Sequence, residues 1–129
     1  MAGETEKLTL NLGPVDLGQI DLLVEEGFYS NRTDFIRTAI RNQLALHAEA
    51  VKQTVSRQTL ILGIQRFSRA DLEERRRVGE RLQIRVLGLV TIDPDVSPEL
   101  ASAVIDSVHV LGAFHASEPV KQALAGRIR

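Results

Sequence analysis

At 129 residues, with 43% hydrophobic and 26% charged positions, the chain has the make-up of a folded globular protein and can bury one ordinary core or two very small ones. The absence of cysteine excludes disulfides, thiolate metal sites and a cysteine nucleophile. No apolar run nears the ~20 residues of a membrane helix and no basic-then-apolar export signal opens the chain, so a cytoplasmic address is expected.

Residues 1–5 read as a tail. From Glu6 to Leu12 the sequence EKLTLNL alternates without a break, which predicts a strand with Leu8, Leu10 and Leu12 on one face and Lys7, Thr9 and Asn11 on the other. Gly13-Pro14 ends it, and Pro14 suits the first turn of a helix. Val15, Ile20, Leu23 and Val24 recur at near-helical spacing, and Gly27 supplies the stop. Ser30 is placed to cap a second helix whose apolar stripe is Phe35, Ile36, Ala39, Ile40 and Leu44, with Arg37 and Arg41 pointing away. That helix continues to about Gln53, and apolar periodicity lapses across residues 50–58.

The second half carries an internal echo. IRVLGLVTIDPDV from Ile84 and VHVLGAFHASEPV from Val108 align at an offset of 24, placing Val86-Leu87-Gly88 over Val110-Leu111-Gly112. A weaker copy, Ile61-Leu62-Gly63, lies 25 residues before Val86. Each copy reads as a strand followed by a helix, with the helices at Ala70–Leu82, Ser97–Val108 and Pro119–Ala125. The expected structure is a set of strand-helix units, their strands parallel and their helices on one side.

Net charge is −1, unevenly spread: residues 1–50 carry four basic and eight acidic groups, residues 51–80 seven and four, residues 81–129 five of each. Any affinity for a polyanion must therefore come from where the first half's few cations sit.

One strand and two helices cannot bury a core alone; a second copy, pairing strands antiparallel over four helices, is an obvious solution. EKLTLNL, PVDLGQIDLLVEEG and FYSNRTDFIRTAIRNQL, in that order, resemble the ribbon-helix-helix (CopG/Arc/MetJ-type) DNA-binding family. The Gly27-Phe28-Tyr29-Ser30-Asn31 turn and the run from Asp34 to Arg41 carry most of the likeness, which spans residues 6–46. The resemblance implies a ribbon-helix-helix module for dimerisation and DNA binding over residues 1–53; with the small α/β region of strand-helix repeats that the echo predicts over 59–129, the expected fold class is α+β. It further implies that Lys7, Thr9 and Asn11 touch base edges in the major groove of double-stranded DNA, while Ser30, Asn31 and Arg32 hold a phosphate at a helix N-terminus. The expected protein is a homodimeric transcriptional repressor, neither enzyme nor membrane protein, with no cofactor.

An acidic module loses much of the counterion-release contribution to DNA affinity, and linked dimers would restore it. The apolar second half is accordingly expected to build higher oligomers. Three other readings compete. Nickel-responsive relatives join this module to a ligand-binding domain, and ILGIQRFSRADLEERR resembles the start of one; yet His109 and His115 lie about 20 Å apart on one strand and His47 lies on a helix, so no metal site is expected. Antitoxins of this type carry polar tails that fold on a toxin, unlike the apolar region 59–129. In a purely structural protein the first module would only dimerise. The run Arg75-Arg76-Arg77, with Glu73 and Glu74, reads as a solvated helix face or an accessory phosphate contact.

Overall fold

The computed structural model describes residues 5–129, so the expected tail lies almost wholly outside it. The described chain divides into two compact units, with the division in the sequence between Thr54 and Val55. The first contains α1 (Pro14–Glu25), α2 (Arg32–Leu46) and most of α3 (Ala48–Arg57). The second contains β1 (Ile61–Phe67), α4 (Arg69–Val78), β2 (Leu82–Ile92), α5 (Pro98–Val104), β3 (Ile105–His115), α6 (Glu118–Ala123) and a closing 3-10 turn, Ala125–Arg127. The chain is thus a mixture of helix and strand.

The three strands form one parallel sheet in the order β1-β2-β3. Its register is the one the sequence echo superposes: Ile61, Val86 and Val110 stand side by side, and so do Leu62, Leu87 and Leu111. Gly63, Gly88 and Gly112 make the next row. Alternation along β2 sends Ile84, Val86, Val90 and Ile92 to one face, all buried. Leu72 of α4, Leu100, Ala101 and Val104 of α5 and Val120 of α6 join them in a single core.

A serine starts each of these helices: the hydroxyls of Ser68, Ser97 and Ser117 accept the N–H of Asp71, Leu100 and Val120. Ser68 and Asp71 complete a reciprocal box, and this lowers the Asp71 carboxyl below its usual range through the N–H and hydroxyl of Ser68. The helices are shorter than the periodicity predicts. Gly79, left-handed at φ 77°, ends α4 after Val78, four residues before the expected Leu82. Ile105 turns extended at the end of α5, so the chain enters β3 three residues before Val108. There the Arg127 guanidinium donates to the carbonyls of Ser102 and Ile105 at 2.6 and 2.8 Å, satisfying groups the helix end leaves open.

Candidate nucleic-acid interface

Residues 5–13 form no strand within one chain, and Lys7, Thr9 and Asn11 are all exposed. The physical reason is the lack of a ladder partner: a strand's backbone groups are satisfied only by a neighbour. Leu8, Leu10 and Leu12, on the opposite parity, are 83%, 57% and 40% exposed. Pro14 then opens α1, as its fixed φ and missing N–H favour. The helix closes through a left-handed Gly27 (φ 86°), with Gly27 N–H donating to Val24 and Phe28 N–H to Leu23.

That reversal delivers the chain to α2. Tyr29 and Phe35 meet edge to face at 5.0 Å and brace the turn. Asn31, not Ser30, is the N-cap: its side-chain oxygen accepts the Asp34 N–H at 2.8 Å. Ser30 stands one residue outside, where its own N–H donates to the Asp34 carboxylate at 2.9 Å. Because α2 begins at Arg32, Asn31 is the residue placed to reach the N3 N–H of Asp34, while the Asp34 carboxylate reaches back to the Ser30 N–H. The cap serves N3, so the N–H groups of Arg32 and Thr33 are the ones the helix start presents to an anion.

Arg32 is already engaged. Its guanidinium forms a two-pronged pair with Asp21 of α1, at 2.7 and 2.8 Å. The pair holds the Asp21 carboxyl below its ordinary value, first by this hydrogen bond and then by charge, and raises Arg32 correspondingly. Both side chains are about half exposed, so the bond orients Arg32 more than it stabilises the fold. Arg37 and Arg41 are exposed on α2 and form no salt bridge among the described residues. Asp21 and Asp34 thus belong to this corner of the molecule; Asp34 stands at the capping spacing three residues after Asn31, whereas nothing in the sequence marks Asp21 as the partner of Arg32.

α2 does not run unbroken to Gln53. It pauses at His47 and resumes as α3 to Arg57. His109 and His115 lie on β3, remote in sequence from His47. Two arginines of the α4 run are paired locally, Arg77 with Glu74 and Arg75 with Glu80 at 3.6 Å, and the helix's first arginine, Arg69, pairs with Glu73 at 2.8 Å. No helix among the described residues is long and apolar enough to cross a membrane.

Within residues 5–54 the only side chain in the buried class is Ile20. Leu22, Ile40, Leu44 and Leu46 are 56%, 47%, 60% and 76% exposed. The first unit is thus an extended segment followed by two helices joined by a glycine turn, with little buried apolar surface of its own.

The model of the ribbon-helix-helix transcriptional regulator family matches residues 3–121, and the chain belongs to that family. The match reaches through the parallel sheet as well as the helix pair, well beyond the 6–46 stretch that carries the resemblance in the sequence. No curated protein and no solved structure matches the chain.

Proposed function

We propose that this regulator is a repressor that reads the major groove of double-stranded DNA with an antiparallel ribbon made of residues 6–12 from two copies. Lys7, Thr9 and Asn11 face the bases, where an ammonium suits guanine acceptors, a carboxamide suits adenine and a hydroxyl suits either partner type. The α2 N-terminus, through Ser30, Asn31 and Arg32, takes a backbone phosphate and fixes the ribbon's depth in the groove. The observation that carries the reading is the exposure of Leu8, Leu10 and Leu12 together with the open face of α2. A second copy laid across both supplies the strand partner and the missing core at once.

Residues 59–129 assemble these dimers further. With four cations against eight acids in residues 1–50, one dimer has little electrostatic affinity. Several dimers on adjacent sites gain effective concentration without new base contacts, and a multimer along an operator blocks access to it.

The test is selection of bound fragments from random DNA at two salt concentrations. The wild-type chain should enrich a repeated or palindromic element, and the Lys7→Ala/Thr9→Ala/Asn11→Ala variant should lose that enrichment while sedimenting as the same dimer. Equal enrichment by both proteins would remove the ribbon from recognition.

A further inference from the structure

The row Gly63, Gly88 and Gly112 shows how the sheet is extended. All three have positive φ, at 140°, 143° and 123°, a region that only glycine enters without strain. At Gly88 the reason is visible: a Cβ would lie 2.0 Å from the carbonyl oxygen of Gly63 on the preceding strand. At Gly112 it would lie 2.1 Å from the carbonyl oxygen of Gly88. Each glycine leaves room for the carbonyl of the strand before it. Gly63 adopts the same conformation, yet a Cβ there would meet nothing within 4 Å, because β1 is the sheet's edge. It keeps a slot that no described residue of its own chain occupies.

The other edge has the matching part. By the same repeat, the Gly112 carbonyl on β3 projects outward as those of Gly63 and Gly88 do. The C-terminal residues cover β3 only at its start, through the Val108–Ile128 bridge and the Arg129 N–H bonded to Val108 at 2.8 Å. A strand continuing the rows would begin opposite Val110, beyond that cover. Both edges are also apolar: Ile61, Leu62 and Ile64 on β1 are 51%, 67% and 56% exposed, and Leu111 on β3 is 49% exposed. Such edges are templates for pairing.

We infer that β3 of one copy pairs in parallel with β1 of the next, the Gly112 carbonyl entering the Gly63 slot, so that the sheet continues from chain to chain. The occupant is a second copy of this protein, and the inference deepens the assembly reading given above, on which it rests. The joint is heterologous, with two different edges meeting, so it builds a closed ring or an open filament and has no two-fold of its own.

The register places Leu62 of one copy beside Leu111 of its neighbour. The chain has no cysteine, so Leu62→Cys and Leu111→Cys each give a full-length protein with one thiol at an exposed position. Across the joint, neighbouring strands sit about 4.8 Å apart, within the Cα range of a disulfide. Within one chain β2 intervenes, doubling that separation beyond reach. Oxidising a mixture of the two variants should give a covalent pair containing one of each, with neither variant cross-linking alone. Gly63→Ala, which fills the slot, should lose assembly above the dimer by light scattering while unfolding cooperatively. Self-cross-linking of either variant, or assemblies that form without the mixed disulfide, would overturn the edge-to-edge joint and leave assembly itself standing. A wild-type chain that never exceeds the dimer would overturn both.

Discussion

Adding one methyl group at Gly88 probes the packing of the sheet most sharply. In Gly88→Ala the new carbon must move from 2.0 Å to an ordinary 3.4 Å contact with the Gly63 carbonyl, and that obstacle is backbone, not a side chain that can swing aside. Parting β1 from β2 by that much stretches adjacent ladder bonds past hydrogen-bonding distance, at about 0.5–1.5 kcal/mol each. The positive φ adds strain of roughly 1–3 kcal/mol for any residue with a side chain. With two bonds lost, about 2–6 kcal/mol of destabilisation is expected. Gly63→Ala is the internal control: it has the same φ problem and no atom to hit, so only the strain of roughly 1–3 kcal/mol applies. Urea unfolding of both variants, at one chain concentration low enough to dissociate any assembly, gives the comparison. Gly112→Ala, at 2.1 Å, should follow Gly88→Ala. Equal destabilisation by Gly63→Ala and Gly88→Ala, within 0.5 kcal/mol or so, would refute the steric argument, because strain alone would then account for both.

Single alanine substitutions at Lys7, Thr9 and Asn11 should each weaken binding to the selected DNA about tenfold, within the roughly 1–3 kcal/mol of one good base contact, with the sedimentation coefficient unchanged. Asp21→Asn releases Arg32 from its carboxylate clamp and removes a negative charge near the phosphate; DNA affinity should rise, and the slope of log K against log salt should steepen by about one. The Asp21 carboxyl is held below its ordinary value near 3.8, so its pairing contributes above that pH and fades as pH falls through the lowered value; an NMR titration should place the carboxyl's midpoint below 3.8, and a midpoint at or above it would contradict the pairing. Ser97→Ala removes the cap on the seven-residue α5 and should cost about 1 kcal/mol in the same urea assay.

Much of the second unit is legible in the sequence because a repeat encodes register directly. Val86-Leu87-Gly88 and Val110-Leu111-Gly112 match as text and stand side by side as strands. Helix ends are less legible: the apolar pattern runs on through Leu82 and Val108, while Gly79 and the extended turn at Ile105 stop the helices first. The serine caps of the second unit are not singled out by the sequence, since a serine before a helix is common and only the bonds to Asp71, Leu100 and Val120 show which ones act. In the first unit the alternation of residues 6–12 is plain, but a single chain has nothing to pair with it. The shift of the α2 cap from Ser30 to Asn31 turns on a one-residue difference in where the helix begins, and the Asp21–Arg32 bond spans a turn, so neither leaves a periodic trace.

The central claim is that residues 6–12 of two copies make one ribbon and that its outer face meets DNA. Isotope-filtered NMR on an equimolar mixture of labelled and unlabelled chains, titrated with the selected duplex, addresses both parts in one sample. The account predicts antiparallel cross-strand contacts between chains over residues 6–12, and shifts on adding duplex that centre on Lys7, Thr9 and Asn11. A spectrum with no contacts between chains in that segment, or with duplex-induced shifts confined to other residues, would contradict it.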